Sequence, residues 1–238
     1  MKSLWIAFVF LTRIPVPRVD ATVGMFARSV RYYPLVGLVI GAIVAGAGWC
    51  GAWLHPWVGG LTALLAWVWV TGALHLDGLG DLADGLGALH GDRTRLLAVM
   101  ADPHIGSFGV MAIVLQVLCK LVLLSLLLPA HWFAIILIPA MARLGPLFWA
   151  RYLRPLRPGG LGAAMAGAIR SSDLILGGVA LILASVTLPW LAVAPIILAA
   201  IGLWFRWRTG GVTGDMHGAG IEIAESLLLL ACVVQAAR

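Results

Sequence analysis

Long apolar runs divide this chain, and they constrain its fold more than any other feature. A transmembrane helix needs about 20 consecutive, mostly apolar residues. Seven runs approach or reach this length. They are roughly Tyr33–Leu54, Val58–Leu76, Gly106–Leu128, Trp132–Tyr152, Leu174–Leu188, Trp190–Trp207 and Ala219–Ala236.

The composition agrees with a membrane protein. Of the 238 residues, 62% are hydrophobic and 11% are charged, whereas a soluble domain carries roughly a quarter charged residues. The sequence therefore predicts an all-α, polytopic integral membrane helix bundle of about seven transmembrane helices in a single domain, residues 1–238. We expect residues 1–32 to form a cytoplasmic or interfacial segment and residues 33–238 to form the bundle.

Charged residues predict how the chain is oriented. All but three of the 16 Lys and Arg residues lie before the first run or in alternate connections, and the other connections between runs carry none. This positive-inside asymmetry places the N-terminus in the cytoplasm. The ten acidic residues fall on the same side or just inside a helix end there. We therefore expect the polar chemistry to face the cytoplasm.

The most acidic segment lies between the second and third runs. We predict it as an Asp-rich loop, residues 75–105, on the cytoplasmic side. Within it, Asp77, Asp81 and Asp84 stand at i, i+4 and i+7, and on a helix these positions share one face. Three like charges repel, and a divalent cation relieves the repulsion. Because Mg²⁺ is usually held by a few carboxylates together with phosphate oxygens, the pattern predicts a Mg²⁺ site that binds a phosphorylated substrate.

Glycines are interleaved with these aspartates. A glycine costs helix stability by up to ~1 kcal/mol relative to alanine, so a helix that contains several needs a reason for them. We expect them to let a ligand approach the backbone closely. The four positions are Gly78, Gly80, Gly85 and Gly87.

Other polar residues flank the Asp-rich segment or lie deep in apolar runs. His75 is a candidate ligand or general base. The glycine-rich stretch Thr209–Gly218, which contains Asp215, is predicted as a loop that wraps a ligand. Lys120 stands in the middle of an apolar run, where a charge is costly and is usually functional or paired. Glu222 and Glu225 are its candidate partners.

Five stretches of the sequence carry a resemblance to a known family. They are FLTRIPVP (Phe10–Pro17), YPLVGLVIGA (Tyr33–Ala42), HLDGLGDLADGLGA (His75–Ala88), RLLAVMADPHIGSFGV (Arg95–Val110) and GGVTGDMHGAGIEIAE (Gly210–Glu225). Together they resemble the cobalamin (5′-phosphate) synthases, which are adenosylcobinamide-GDP ribazoletransferases. The stretches occur in that family's order and span nearly the whole chain.

The resemblance implies an activity, a cofactor and a location. The enzyme would join adenosylcobinamide-GDP to α-ribazole or its 5′-phosphate, release GMP and complete the nucleotide loop of vitamin B12. It would depend on Mg²⁺ and be a multi-pass protein of the bacterial inner membrane, with its active site facing the cytoplasm. Its partners would be the corrinoid nucleotide, the ribazole substrate and the lipid bilayer, with no nucleic acid. A homo-oligomer, or an association with other enzymes of cobamide synthesis, stays open.

The resemblance also implies roles for individual residues. Asp77, Asp81 and Asp84 would hold Mg²⁺ on the pyrophosphate. Asp81, Asp102 and His75 are the catalytic candidates, with Asp102 and His75 as rival bases for the hydroxyl proton. The candidate substrate contacts are Arg13, Arg93, His104 and Asp215.

Two other functions remain open from the sequence. A membrane phosphotransferase of the CDP-alcohol type would share the metal and the membrane-border site, but no Ala-Arg follows Asp77-Gly78 as in that family's motif. An ion-coupled transporter would use the intramembrane acids and Lys120 as its coupling path. Such a carrier would need charges on both sides of the membrane, and the outer connections lack them.

Overall fold

The computed structural model describes residues 2–89, 91–128, 130–157, 159 and 161–238. Over these ranges the chain folds into α-helices joined by turns and two short 3₁₀ segments, without a named strand. This confirms the all-α prediction. The helices are α1 Lys2–Leu11, α2 Val23–Ser29, α3 Tyr33–Ala52, α4 Pro56–Thr71, α5 Leu74–Ala88, α6 Arg93–Val99, α7 Ser107–Leu127, α8 Trp132–Ala142, α9 Gly145–Tyr152, α10 Leu161–Ala168, α11 Ser171–Thr187, α12 Ala194–Arg208 and α13 Gly214–Ala236.

Several helical segments are long and apolar enough to cross a membrane, which confirms a polytopic protein. Among the described residues, five such segments stand alone, and two bent helix pairs bring the number to seven if each pair is one span. The five are Val23–Ala52, Ser107–Leu127, Trp132–Tyr152, Pro189–Arg208 and Gly214–Ala236, and the pairs are Pro56–Thr71 with Leu74–Ala88 and Gly162–Ala168 with Ser171–Val186.

The second predicted span is wrong at its end. We expected it to continue to Leu76, but α4 ends at Thr71 and α5 leaves it at 85°. The turn is made by Gly72 and Ala73, both in the left-handed region with φ of 61° and 60°. A left-handed alanine is uncommon, because its Cβ crowds the backbone. Because α5 runs nearly perpendicular to α4, it does not continue the direction of that helix.

The Asp-rich segment is also more ordered than a loop. Its first half is α5, and α6 follows after a short connection. Leucines at helical spacing, Leu76, Leu79, Leu82 and Leu86, are buried or packed against the core. Burial of this apolar stripe stabilises the helix despite its glycines, because tertiary packing outweighs intrinsic propensity.

Helix α13 packs against the helices that carry several of the other candidate residues. It packs against α5, α7 and α8, while α3 packs between α4 and α8. The helix begins at Gly214, where the Thr213 hydroxyl accepts a hydrogen bond from the backbone N–H of Met216. The predicted loop Thr209–Gly218 is therefore wrong in its second half, and Asp215 lies in the first turn of a helix.

Two glycines let α3 approach α8 closely. A Cβ on Gly37 would lie 2.6 Å from the Pro139 carbonyl oxygen, and one on Gly41 would lie 2.2 Å from the Ile136 carbonyl oxygen. Gly46, on the same helix, has nothing within 4 Å of such a Cβ. Small residues at helix crossings are a common way to bring membrane helices into contact.

We predict that Gly41→Ala destabilises the protein and that Gly46→Ala does not. The added methyl group at position 41 meets backbone, which cannot move aside, and overpacking of this kind costs about 1–3 kcal/mol. At position 46 the same change gains up to ~1 kcal/mol of helix propensity. Thermal unfolding in detergent measures both. Equal midpoints for the two variants would contradict the close crossing.

Candidate active site

The carboxylate side chains of the candidate site come from two helices. Asp77, Asp81 and Asp84 lie on α5 at the spacing that places them on one face. Asp215 is added from the first turn of α13. Gly78 makes this meeting close, because a Cβ there would lie 2.6 Å from the Asp215 carbonyl oxygen. We call Asp77, Asp81 and Asp215 the carboxylate cluster.

Electrostatics single out Asp81 within the cluster. Partial burial and the neighbouring carboxylates, Asp77 first and Asp215 next, raise the pKa of Asp81 to about 6. Arg157 opposes this shift, and its Nη1 lies 3.4 Å from Asp215 Oδ2. In the sequence, Arg157 is only one of the basic residues in the connections between apolar runs. The fold makes it the cation beside the cluster.

Asp84 has a different environment from the other two aspartates of α5. Its Oδ2 accepts the backbone N–H of Gly106 at 2.7 Å, and its Oδ1 accepts that of Gly109 at 2.8 Å. The carboxylate thus satisfies free N–H groups at the start of α7. A Cβ on Gly106 or Gly109 would lie 2.5 Å or 2.3 Å from this carboxylate group. Asp84 therefore fixes α5 to α7, a role the sequence did not predict.

The glycines of α5 face protein. We expected them to admit a ligand to the backbone, and this expectation is wrong, since neighbouring helices fill the space. The nearest atoms to a Cβ belong to Asp215 at Gly78, Ile113 at Gly80, Met100 at Gly85 and Phe108 at Gly87, at 2.6, 3.0, 2.6 and 2.5 Å.

The carboxylate oxygens of the cluster are the kind of ligand that a hard divalent cation prefers, but the side chains are not arranged around a common point. Among the residues that the structure describes, no three His, Cys, Asp or Glu side chains are grouped closely enough to hold a metal ion. Asp77 and Asp215 nevertheless repel the Asp81 carboxylate and, after its partial burial, are the next causes of its raised pKa. A divalent cation bound by carboxylate oxygens would relieve this repulsion. The carboxylates of the cluster could hold such an ion only by moving closer together.

Asp102 and His104 lie together in the exposed connection between α6 and α7. Asp102 Oδ1 accepts the backbone N–H of His104 at 2.9 Å and lies 2.7 Å from His104 Nδ1. These hydrogen bonds lower the pKa of Asp102. A carboxylate stabilised in this way is a weaker proton acceptor, so the structure favours Asp81 over Asp102 as a base.

The two arginine candidates, Arg13 and Arg93, each lie against a glycine, Arg13 at Gly72 and Arg93 at Gly210. The Arg13 side chain lies over Gly72, where a Cβ would come within 2.2 Å of its Nε, and Arg13 lines a 420 Å³ cavity together with Asp77. Arg93 lies against Gly210 in the connection before α13, with its Nη1 2.7 Å from a Cβ built there. Both side chains are exposed and free to approach phosphate.

A buried ion network is formed by Lys120, Arg143, Glu222 and Glu225, and its two glutamates lie on α13, the helix that also carries Asp215. Lys120 Nζ is 2.7 Å from Glu222 and 2.5 Å from Glu225, which confirms the partners considered from the sequence. Arg143 Nη1 reaches the other oxygen of Glu225 at 2.7 Å. Two cations and two anions thus balance within the network.

The network also determines what His75 can do. Its Nδ1 lies 3.3 Å from Arg143 Nη2. A guanidinium only donates hydrogen bonds, so Nδ1 must accept and the ring proton of neutral His75 sits on Nε2. His75 can therefore donate a hydrogen bond through Nε2. This arrangement does not favour the predicted role as a base, because Nδ1 already accepts from Arg143 and Nε2 already carries a proton.

Known proteins resemble this chain over nearly its whole length. The family model described as cobalamin-5-phosphate synthase matches residues 3–233. A protein of Novosphingobium aromaticivorans named adenosylcobinamide-GDP ribazoletransferase is 52% identical over 98% of this chain and 97% of its own. Proteins of the same name from Laribacter hongkongensis and Thiobacillus denitrificans are 47% and 46% identical, covering 98% and 97% of this chain and 97% and 94% of theirs. No solved structure matches.

Proposed function

The chain belongs to the cobalamin-5-phosphate synthase family, and we propose that its carboxylate cluster carries out the reaction for which its relatives are named. The substrates are adenosylcobinamide-GDP and ribazole, and the product completes a cobamide. The observation that carries this proposal is the match over residues 3–233, which includes α5 and the part of α13 that supplies Asp215.

The proposed reaction exchanges one phosphorus–oxygen bond for another. The 3′-hydroxyl of α-ribazole, or of its 5′-phosphate, attacks the phosphorus attached to cobinamide. The bond from that phosphorus to the bridging oxygen breaks, and GMP leaves with the electron pair. The hydroxyl proton passes to a base on the protein. The products are adenosylcobalamin, or its 5′-phosphate, and GMP.

The residues of the site divide this work. Asp81 is our candidate for the base, since its pKa of about 6 without a metal lies closer to neutral pH than that of an ordinary carboxyl group. Asp77 and Asp215 would hold Mg²⁺, which would neutralise charge on the pyrophosphate and on the leaving GMP. Arg13, Arg93 and Arg157 are the cations available for phosphate contacts. Asp84 keeps α5 in place against α7.

The protein is a multi-pass membrane protein, and we place the site at the cytoplasmic face of a bacterial inner membrane. The positive-inside distribution of Lys and Arg supports this orientation. The substrates support it as well, because nucleotides are charged and do not cross a bilayer. Arg93 and Arg157 flank the cluster in connections on that side.

A product assay on purified protein in detergent tests the proposal. Adenosylcobinamide-GDP and α-ribazole 5′-phosphate are supplied with Mg²⁺ or with a chelator, and GMP and the cobamide are separated by chromatography. We expect both products in equal amounts and only with the metal. Folded protein that forms neither product would exclude the reaction. Equal turnover in chelator would retain the reaction and exclude Mg²⁺.

A further inference from the structure

A second cavity adjoins the carboxylate cluster and is lined in part by Asp77 and Asp215. It has a volume of about 230 Å³ and lies between the N-terminal helices, α5, α10 and α13. Three aromatic side chains, Phe10, Phe26 and Tyr33, contribute to its wall, and Asp77 and Asp215 of the cluster also line it. The aromatic rings pack on one another, with centroids 4.9 Å apart for Phe10 and Phe26 and 6.1 Å apart for Phe10 and Tyr33.

Two polar side chains in this wall lack a hydrogen-bond partner, Tyr33 at its hydroxyl group and His217 at its ring nitrogens. His217 is 5% exposed and its ring stacks on Trp149, with centroids 6.1 Å apart and planes at 15°. Neither Nδ1 nor Nε2 of His217 makes a hydrogen bond. An unsatisfied buried polar group costs about 1–3 kcal/mol. Such a group in the wall of a cavity is explained if a ligand supplies the missing partner.

We propose that this cavity binds the aromatic base of the nucleoside substrate and that His217 donates a hydrogen bond to the base. The inference rests on the proposed function. Ribazole is a benzimidazole nucleoside. One ring nitrogen of its base carries the ribose, and the other is a free acceptor that suits the N–H of a neutral imidazole.

Size and position support this occupant. The cavity is smaller than the roughly 300–1,000 Å³ of sites for drug-sized ligands, so it suits a two-ring base and excludes a corrin macrocycle. Flat aromatic walls suit a flat aromatic ligand. Since Asp77 and Asp215 line the same cavity, a base seated there holds its ribose beside the carboxylate cluster, where the 3′-hydroxyl must react.

Two glycines on α10 provide a matched test. Gly162 lines the cavity, and a Cβ there would meet only the Gly214 nitrogen, at 3.9 Å. Gly167 faces open space, with nothing within 4 Å. Gly162→Leu therefore narrows the cavity without a backbone clash, and Gly167→Leu places the same side chain on the same helix away from it.

Equilibrium dialysis of radiolabelled α-ribazole with each full-length variant measures binding without turnover. We expect Gly162→Leu to weaken binding at least about tenfold, as a blocked subsite should, and Gly167→Leu to bind as the wild type does. In the product assay the KM for ribazole should rise for Gly162→Leu, while the KM for adenosylcobinamide-GDP stays unchanged. Equal binding by both variants, or an effect on the KM of the corrinoid alone, would overturn the proposal.

His217→Phe tests the hydrogen bond separately. Phenylalanine keeps a flat ring against Trp149 but has no N–H. We expect the KM for ribazole to rise about tenfold, the loss of one hydrogen bond. A nucleoside whose base carries C–H in place of the free nitrogen should bind equally to the variant and the wild type. If the variant still prefers the nitrogen-containing base, His217 is not the donor.

The outcomes also separate this inference from the proposed function. Wild-type protein that binds α-ribazole with the expected pattern but forms no GMP would retain the cavity assignment and exclude the transferase reaction. If the wild-type protein forms product while Gly162→Leu and Gly167→Leu behave alike, the transferase reaction is retained and the cavity assignment is excluded.

Discussion

Asp81→Asn should reduce transferase activity by about a hundredfold or more, while the folded protein stays at least as stable as the wild type. A general base contributes roughly 10²–10⁴-fold to a rate, and asparagine cannot accept the proton. The free energy of unfolding should not fall with the activity, and we expect it to stay the same or to rise. The pKa of Asp81 is raised in the folded state to about 6, so its ionised form opposes folding at neutral pH. The neutral amide removes this repulsion.

Metal binding gives this variant a second measurement. Mg²⁺ that binds only the folded state should raise the unfolding temperature of the wild type. The rise should be smaller for Asp81→Asn, which lacks one negative charge of the carboxylate cluster. Asp20→Asn, an exposed change in the N-terminal segment, is the matched control and should retain activity and the metal response. Full activity of Asp81→Asn would exclude Asp81 as the base.

Glu225→Gln is expected to cause the largest loss of stability. Glu225 is fully buried and bonded to both cations of the buried ion network. The neutral side chain leaves two buried positive charges, Lys120 and Arg143, with a single negative partner, Glu222. Removing one member of a buried ion pair typically costs about 3–5 kcal/mol, because a charge remains uncompensated in an apolar environment. Thermal unfolding in detergent, followed by circular dichroism, measures the loss.

A double variant tests whether charge balance is the reason. Lys120→Met with Glu222→Met removes one cation and one anion and leaves Arg143 paired with Glu225. We expect the double variant to be more stable than the sum of its single changes implies, since contacting residues of a network are not additive. If Glu225→Gln unfolds at the wild-type temperature, the network does not hold these helices together.

Local patterns in the sequence sufficed for much of the fold. Apolar runs of membrane-spanning length predicted the all-α, polytopic chain, because a bilayer admits few other solutions. The spacing of Asp77, Asp81 and Asp84 predicted a shared face, because helical periodicity depends only on positions along the chain. The five family-like stretches indicated the family, which the comparisons confirm. These inferences needed no knowledge of which segments meet.

Only the tertiary structure decided how the polar residues divide their roles. Asp84 accepts hydrogen bonds from backbone N–H groups at the start of α7. Asp215 approaches Asp77 and Asp81 from a helix more than a hundred residues away in the sequence. Arg143 joins Lys120 and the two glutamates, and in doing so it fixes the proton of His75 on Nε2. Sequence spacing carries no record of such pairs. The crossing of distant helices determines which charges come within a few ångströms, and Coulomb energy falls with that distance.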